Sequence, residues 1–300
     1  MRRALAALLL GLAACTGHAQ AVRVGSKADN EGALLGQIVV QVLRHQGIDV
    51  VDRTQLGPTS IVRRALVNGD LDVYPEYTGN AAFFFHREGD PAFRDAARAY
   101  ASAAALDLAA HRLVWLSPAP ADNHWAIGVR GDVARAAGLR TLDDFARWVR
   151  AGATVKLAGS AEFVESDAAL PAFQRAYGFT LRGDQLLVLA GGDTSATIKA
   201  AAEGISGVNA SMVYSTDGAI AVTGLAVLDD PRHIEMVYQP APVVRDAVLR
   251  RYPAMRPALE AAFRPLTLQR LRALNARTQI DGEDASSVAS AYLREQRLVP

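Results

Sequence analysis

Two tyrosines and a glutamate stand close together in the stretch from Gly69 to Asn80, which reads Gly-Asp-Leu-Asp-Val-Tyr-Pro-Glu-Tyr-Thr-Gly-Asn. Apolar and acidic residues alternate at its start, which is typical of a short strand with one buried face. Pro75 is expected to end this strand, because proline cannot donate to a sheet ladder. Tyr74, Glu76 and Tyr77 would then follow the carboxyl end of the strand, where ligands bind in open α/β sheets. With no lysine or arginine among them, these side chains favour a bound cation; plain core packing is the alternative.

Strands and helices alternate ahead of this stretch. The pattern predicts a strand at 21–24, a helix closed by Gly47, a strand at 48–51, a helix opened by Pro58, and then the stretch itself. Such alternation predicts an α/β lobe with a parallel sheet.

The chain is predicted to build two lobes. The segment 117–121 contains two prolines and predicts an extended linker. A second α/β lobe begins with a strand near Trp125, and the chain returns to the first lobe near residue 222. The predicted boundaries are therefore 21–121 plus 222–300 for the first lobe and 122–221 for the second. Two crossovers of this kind are typical of a hinged ligand-binding protein.

The two predicted lobes repeat one arrangement loosely. Each carries a threonine at a helix start, Thr59 and Thr194, and a tyrosine just after a strand, Tyr77 and Tyr214. Two lobes that face each other would bring both tyrosines to one cleft. The alternative is the general likeness of any two α/β lobes.

The first 20 residues predict a signal peptide. Arg2 and Arg3 precede a short apolar run, too short for a transmembrane helix. Leu-Ala-Ala-Cys ending at Cys15 resembles a bacterial lipobox, whereas 17–19 offers an ordinary cleavage site. Export to the periplasm is expected, either as a released protein or anchored through a lipid on Cys15.

Composition excludes several classes of function. Lys plus Arg total 32 against 31 Asp plus Glu, so no basic excess indicates nucleic-acid binding. The single cysteine lies in the leader, so the mature chain has no thiol for catalysis, a disulfide or a metal. We expect no cofactor and no metal.

Five motifs occur in order along the chain. They are Gly25-Ser26-Lys27, Leu56-Gly57-Pro58-Thr59, Tyr74-Pro75-Glu76-Tyr77-Thr78-Gly79, Tyr214-Ser215-Thr216-Asp217-Gly218 and Pro240-Ala241-Pro242-Val243-Val244-Arg245. With these motifs the sequence resembles the substrate-binding components of ABC importers for osmoprotectants, which bind glycine betaine, choline and related quaternary ammonium compounds. The resemblance covers nearly the whole mature chain and is nearest to a periplasmic betaine-binding branch of Gram-negative bacteria.

The resemblance implies a fold and partners. It implies a two-lobed periplasmic binding protein of type II, each lobe a mixed, mostly parallel sheet flanked by helices. It also implies a monomer whose partner is an inner-membrane permease.

The resemblance also implies a binding site. The family holds the trimethylammonium head in an aromatic box, whose walls match Tyr77, Trp125, Tyr214 and Tyr238. A quaternary ammonium has no N–H to donate, so aromatic faces select it, each contributing about 0.5–2 kcal/mol. For the ligand carboxylate, the resemblance implies contacts from Lys27 and Asn80.

One position departs from the family pattern. Relatives usually carry an arginine near Ser166, and a serine cannot replace a bidentate charged clamp. Thr194, at a predicted helix start, could offer an anion some compensation. We therefore expect weak betaine binding that discriminates poorly against choline.

Three other classes of function are open on the sequence alone. An enzyme on the same fold would draw on His124, Glu76 or Asp217, yet no Gly-x-Ser-x-Gly motif or histidine cluster is present. A sensor would need a fused membrane-spanning or DNA-binding segment. A binder of amino acids or other amines would need a carboxylate at the amine, and Glu76 could serve.

Overall fold

The computed structural model describes residues 21–189 and 194–300. The predicted signal peptide at 1–20, with its lipobox at Cys15, lies outside the described residues. Among the residues that are described, no helix is both long and apolar enough to cross a bilayer.

The elements are numbered along the chain. The strands are β1 (Val22–Lys27), β2 (Val50–Gly57), β3 (Val73–Tyr77), β4 (Leu113–Trp115), β5 (Trp125–Val129), β6 (Leu157–Ser160), β7 (Leu186–Leu189), β8 (Ala210–Tyr214), β9 (Ala226–Val227) and β10 (Pro240–Arg245). The helices are α1 (Asn30–His45), α2 (Thr59–Asn68), α3 (Asn80–Phe84), α4 (Ala96–His111), α5 (Gly131–Ala137), α6 (Leu142–Arg150), α7 (Ala161–Glu165), α8 (Leu170–Tyr177), α9 (Thr194–Glu203), α10 (Ala219–Thr223), α11 (Asp246–Arg251), α12 (Met255–Phe263), α13 (Leu268–Gln279) and α14 (Ala285–Glu295). Short 3₁₀ turns occupy Pro91–Arg94, Gly183–Gln185 and Ile205–Gly207.

Within the described ranges, the strands form two five-stranded sheets. Their orders are β2-β1-β3-β10-β4 and β7-β6-β8-β5-β9. In the first sheet β10 runs antiparallel to both neighbours, and in the second β5 does the same, while the other strands share one direction. Each sheet is therefore mixed and mostly parallel, and helices flank it, which confirms the predicted α/β class.

The chain crosses between the sheets twice. It leaves the first sheet after β4, through the predicted linker, and enters the second at β5. It returns between β9 and β10, later than the predicted boundary at residue 222, because Val227 pairs with Gly128 in the second sheet. The boundary prediction was wrong at this point; the division into two lobes that move as units stays a prediction.

Strand β3 continues through Pro75, which was predicted to end it. The Thr78 N–H donates to the Gln239 carbonyl, and hydrogen-bonded pairs alternate along an antiparallel ladder. Pro75 faces Pro242 at the intervening position, where neither residue's N–H is needed between these strands. Proline therefore costs this pairing no hydrogen bond, and Tyr77 ends the strand rather than following it.

Each sheet carries two clusters of buried apolar residues within the described ranges, and the larger cluster of each sheet is called its core. The first core packs α1, α12, α13 and α14 against β1 and β3. The second core packs α6, α7 and α8 on β5, β6 and β8. The aromatic residues Tyr77 and Tyr238 contact the first core, and Trp125 and Tyr214 contact the second.

Helix α13, which packs on the first core, is hydrogen-bonded to the loop that follows β8 in the second sheet. Arg272 Nε donates to the Ser215 carbonyl at 2.5 Å, and the Gly218 N–H donates to Gln279 Oε1 at 2.9 Å. A Cβ on Gly218 would lie 2.2 Å from the Ala276 backbone nitrogen, so only glycine permits this approach. The loop that follows Tyr214 is thus held directly against the other half of the molecule.

Candidate functional site

A cavity of about 1170 Å³ lies between the two sheets. This exceeds the volume of most small-molecule sites, which is about 300–1,000 Å³, so the cleft has room to close around a small ligand. Its lining includes every residue that the sequence predicted for the site: Lys27, Tyr77, Asn80, Trp125, Ser166, Thr194, Tyr214 and Tyr238.

Two of the aromatic residues form one wall of the cavity on the second sheet. Trp125 begins β5 and pairs in register with Tyr214, the last residue of β8. Their rings stack with centroids 6.3 Å apart and an interplanar angle of 25°, and Phe163 meets the indole edge-on at 6.1 Å. Burial raises the pKa of Tyr214, so its ring stays neutral. The pairing of β5 with β8 therefore places two adjacent aromatic side chains at the cavity.

Tyr238 lies on the crossing segment before β10. Its N–H donates to Asp122 Oδ1 at 2.6 Å, which fixes the segment to the first crossing. Its ring lies over Gly79, where an added Cβ would come within 2.7 Å of the ring carbons. Burial, followed by the charge of Glu235, raises the pKa of Tyr238.

Tyr77 is anchored by its hydroxyl, which donates to Glu31 Oε1 at 2.5 Å. The buried Glu31 also accepts from Asn123 Nδ2 at 3.1 Å and from Asn275 Nδ2 at 2.6 Å. Burial raises the pKa of Glu31, while the hydrogen bond from Tyr77, like those from Asn275 and Thr216, opposes the rise. Glu31, Asn123 and Asn275 were not predicted for the site, and their separation along the chain gives no pattern that could have revealed them.

Lys27 lines the cavity but is already paired with a buried carboxylate, so its contact with a ligand carboxylate, which the resemblance implied, stays a prediction. Its Nζ lies 2.7 Å from Oε1 of the fully buried Glu76 and 4.4 Å from the centroid of the Tyr77 ring. Glu76 also accepts from Tyr74 Oη at 2.6 Å, from the Tyr77 N–H at 2.7 Å and from Asn80 Nδ2 at 2.7 Å. The cation that Glu76 holds is thus the chain's own lysine, and the Asn80 amide is engaged as well.

Ser166 and Thr194 both line the cavity, but they differ in burial and in local secondary structure. Ser166 is half-buried and follows the last residue of α7, with no cationic group of its own. Thr194 is buried at the first residue of α9, and its carbonyl accepts from the Thr197 hydroxyl at 2.9 Å. Arg175 of α8, which was not predicted for the site, lines the same cavity and donates to the Asp167 carbonyl at 2.7 Å.

Carboxyl groups outnumber cations in the cavity lining. Among the described residues, seven acidic side chains line it against three basic ones, Lys27, Arg94 and Arg175. Burial raises the pKa of Glu31 and Glu235, so these two acids are counted as neutral; the remaining five acidic side chains still outnumber the three basic ones, and the cavity has an excess of negative charge. Such a surface concentrates cations.

The residues considered for an enzyme do not meet at one point. His124 lines a second cavity of about 570 Å³, where its Nδ1 lies 3.1 Å from Asp122 Oδ2. Glu76 is fully buried, and Asp217 accepts from the Tyr214 N–H at 2.7 Å. The described part of the chain contains no group of His, Cys, Asp and Glu side chains suited to a metal ion.

Comparison with known proteins finds one matching family and full-length relatives. Residues 20–295 match the family OpuAC, the substrate-binding domain of ABC-type glycine betaine transport systems. The chain is 52% identical to the glycine betaine-binding protein YehZ of Escherichia coli, over 97% of this chain and 94% of that protein. It is 30% identical to a glycine-betaine-binding protein of Pseudomonas aeruginosa, over 99% of this chain and 95% of that protein.

Solved structures share the fold. The apo structure of the Escherichia coli relative superposes with a TM-score of 0.83, covering 94% of this chain and all of that one. A structure titled as a glycine betaine/carnitine/choline ABC transporter gives a TM-score of 0.80 at 19% identity, with 92% of this chain and 99% of that one covered. At that identity the second likeness concerns the fold alone.

Proposed function

The chain belongs to the family of substrate-binding domains of ABC-type glycine betaine transport systems, and on this basis we propose that its cleft binds the trimethylammonium head of a quaternary amine. The ligand head would lie against Trp125, Tyr214 and Tyr238, and closure of the two lobes would enclose it. The protein would then deliver its ligand to a membrane permease.

The observation that supports this proposal is the meeting of aromatic faces with excess negative charge. Trp125 and Tyr214 come from the second sheet and Tyr238 from the opposite side of the same cavity. A quaternary ammonium offers no N–H, so hydrogen-bond acceptors alone cannot select it, whereas aromatic faces attract it through their quadrupoles. Tyr77 contributes less than the resemblance implied, because the Lys27 ammonium already lies over its ring.

Recognition of a ligand carboxylate is proposed to be weak. The two donors that the resemblance supplied, Lys27 and Asn80, are held by Glu76, and Ser166 carries no charge. The proposed ligands are therefore glycine betaine, choline and related trimethylammonium compounds, with little preference for a carboxylate. The curated relatives are named for glycine betaine, which fits this class.

The proposal also concerns the cellular location of the protein and its partner. We propose that the protein is exported, acts as a monomer in the periplasm, and presents its closed lobes to an inner-membrane permease. A purely binding role, without catalysis, fits the position of His124, which lines the second cavity and not the cleft. Binding of amines through Glu76 is disfavoured because that carboxylate is buried and already fully engaged.

Replacement of Tyr214 tests the aromatic wall. Tyr214→Ala is expected to weaken choline and betaine binding by about 1–2 kcal/mol, since a desolvated cation–π face is lost. Tyr214→Phe should cost less, because the ring remains. Isothermal titration calorimetry with both ligands measures the change directly.

The control for this test is Tyr100→Ala, a tyrosine that packs away from the cleft on another apolar cluster. It should leave both affinities unchanged. Tyr77 is a poorer probe, because its loss would also remove a hydrogen bond from the buried Glu31. If Tyr214→Ala binds both ligands as the unmodified protein does, the aromatic site is wrong.

A further inference from the structure

Glu235 is a buried acid without an explained role. It lies on the second crossing, three residues before Tyr238, and only 9% of its surface is exposed. Its Oε1 is buried and has no hydrogen-bond partner among the described residues. The residue lines both the cleft and the second cavity, so the unpartnered carboxyl group stands at the wall of the proposed binding site.

The surroundings of Glu235 are mainly acidic. Burial, followed by the charges of Asp230 and Asp122, raises the pKa of Glu235 to about 8, and the charge of Arg94 opposes the rise. Asp230 accepts from the Ile234 N–H at 2.6 Å. His124 and His233 are the histidines of the second cavity, which Glu235 also lines. Among the described residues Glu235 thus forms no close ion pair, and Arg94 only partly offsets the two aspartates.

Resting on the function proposed above, we infer that Glu235 is the acidic group of the cation subsite beside Tyr238, and that a bound trimethylammonium head displaces its proton to solvent. The O–H bond of the carboxylic acid breaks, the proton leaves to water, and the ligand cation becomes the partner of the resulting carboxylate. No covalent bond to the ligand forms.

The charge of the surroundings decides between a cation and an anion as the partner of Glu235. A neutral acid could instead donate a hydrogen bond to the carboxylate of betaine. Asp122 and Asp230 would repel such a carboxylate and attract a cation, and each acts on Glu235 more strongly than Arg94, the positive charge that opposes them. The neighbouring ring of Tyr238 also favours the cation. These two modes require opposite protonation states of Glu235 and so predict opposite dependences on pH.

Choline binding should strengthen as pH rises from 7 to 9. With a pKa of about 8, the ionised fraction of Glu235 rises from about one-tenth to about nine-tenths over this range. If the ionised form binds choline, the dissociation constant falls about tenfold. Glu235→Gln should remove this dependence, since an amide does not titrate. Calorimetry at pH 7, 8 and 9 on both proteins measures it.

A second measurement uses the unmodified protein, so its result does not depend on whether a variant folds. Titration of choline at pH 7 in two buffers with different ionisation enthalpies should reveal release of close to one proton for each ligand bound. Glu165→Gln, which alters an exposed carboxyl at the end of α7 outside the cleft lining, is the matched control and should keep both the pH dependence and the proton release. The melting temperature of each variant verifies that it is folded.

The outcomes separate this inference from the proposed function. Choline binding that is independent of pH, or that weakens as pH rises, overturns the role of Glu235 while leaving the aromatic site intact. A pH dependence that survives in Glu235→Gln overturns it as well. Absence of binding by choline, betaine and tetramethylammonium at every pH overturns the proposed function itself.

Discussion

Glu76→Ala is expected to lower the free energy of unfolding by about 3–5 kcal/mol, because it leaves the Lys27 ammonium buried without its counter-charge. Lys27 is only 7% exposed and Glu76 is fully buried, so water compensates for the lost partner only in part. Tyr74 and Asn80 would lose their acceptor at the same time. Urea unfolding followed by circular dichroism measures the change.

A matched control for the buried pair is Asp184→Ala, which breaks the exposed pair of Asp184 with Arg182. Surface pairs contribute little to stability, so its unfolding midpoint should stay close to that of the unmodified protein. The double variant Lys27→Met/Glu76→Leu should recover part of the loss, since it removes both buried charges. Equal midpoints for Glu76→Ala and Asp184→Ala would show that the Lys27–Glu76 pair does not support the site.

Ser166→Arg is expected to strengthen betaine binding by about 1.5–3 kcal/mol, the contribution of a charged hydrogen bond, which is roughly 10- to 150-fold in the dissociation constant. Ser166 lines the cleft, and Lys27 is committed to Glu76, so a new guanidinium would meet a carboxylate that lacks a cationic partner. Choline has no carboxylate and should gain little. Calorimetry with both ligands reports the selectivity.

Ser166→Ala is the control for the loss of the hydroxyl and should change neither affinity greatly. Tight, carboxylate-selective betaine binding by the unmodified protein would contradict this account of the loop. In that case Arg175, which lines the same cavity and holds Asp167, would be the cation to replace next.

Local sequence patterns predicted the architecture because alternation of strands and helices, with one proline-rich linker, leaves few ways to build two lobes. Pro75 was misjudged because its effect depends on the partner strand. Nothing near residue 75 reveals that Pro242 will face it at a position that needs no hydrogen bond. The return to the first lobe was placed too early for a similar reason, since the two-residue strand β9 is defined only by its pairing with β5.

The sequence predicted where the site residues lie better than it predicted which hydrogen bonds and ion pairs they form. All eight predicted side chains line one cavity, and four of them, Lys27, Tyr77, Trp125 and Tyr214, do so from strand ends. The pairing of Lys27 with Glu76 joins residues 49 positions apart, and the partners of Glu31 come from three separate segments. Such contacts depend on tertiary packing, so neither periodicity nor motif spacing could show which donors are already occupied.

The most direct test of the central claim compares choline with 3,3-dimethylbutan-1-ol, in which carbon replaces the charged nitrogen at nearly constant shape. Binding through aromatic faces and an acidic cleft depends on the charge, each face contributing about 0.5–2 kcal/mol. Calorimetry is therefore expected to show choline binding at least about tenfold more tightly than the neutral alcohol. Equal affinities for the two compounds would contradict the account, because the cleft would then recognise only the apolar shape of the ligand and not its charge.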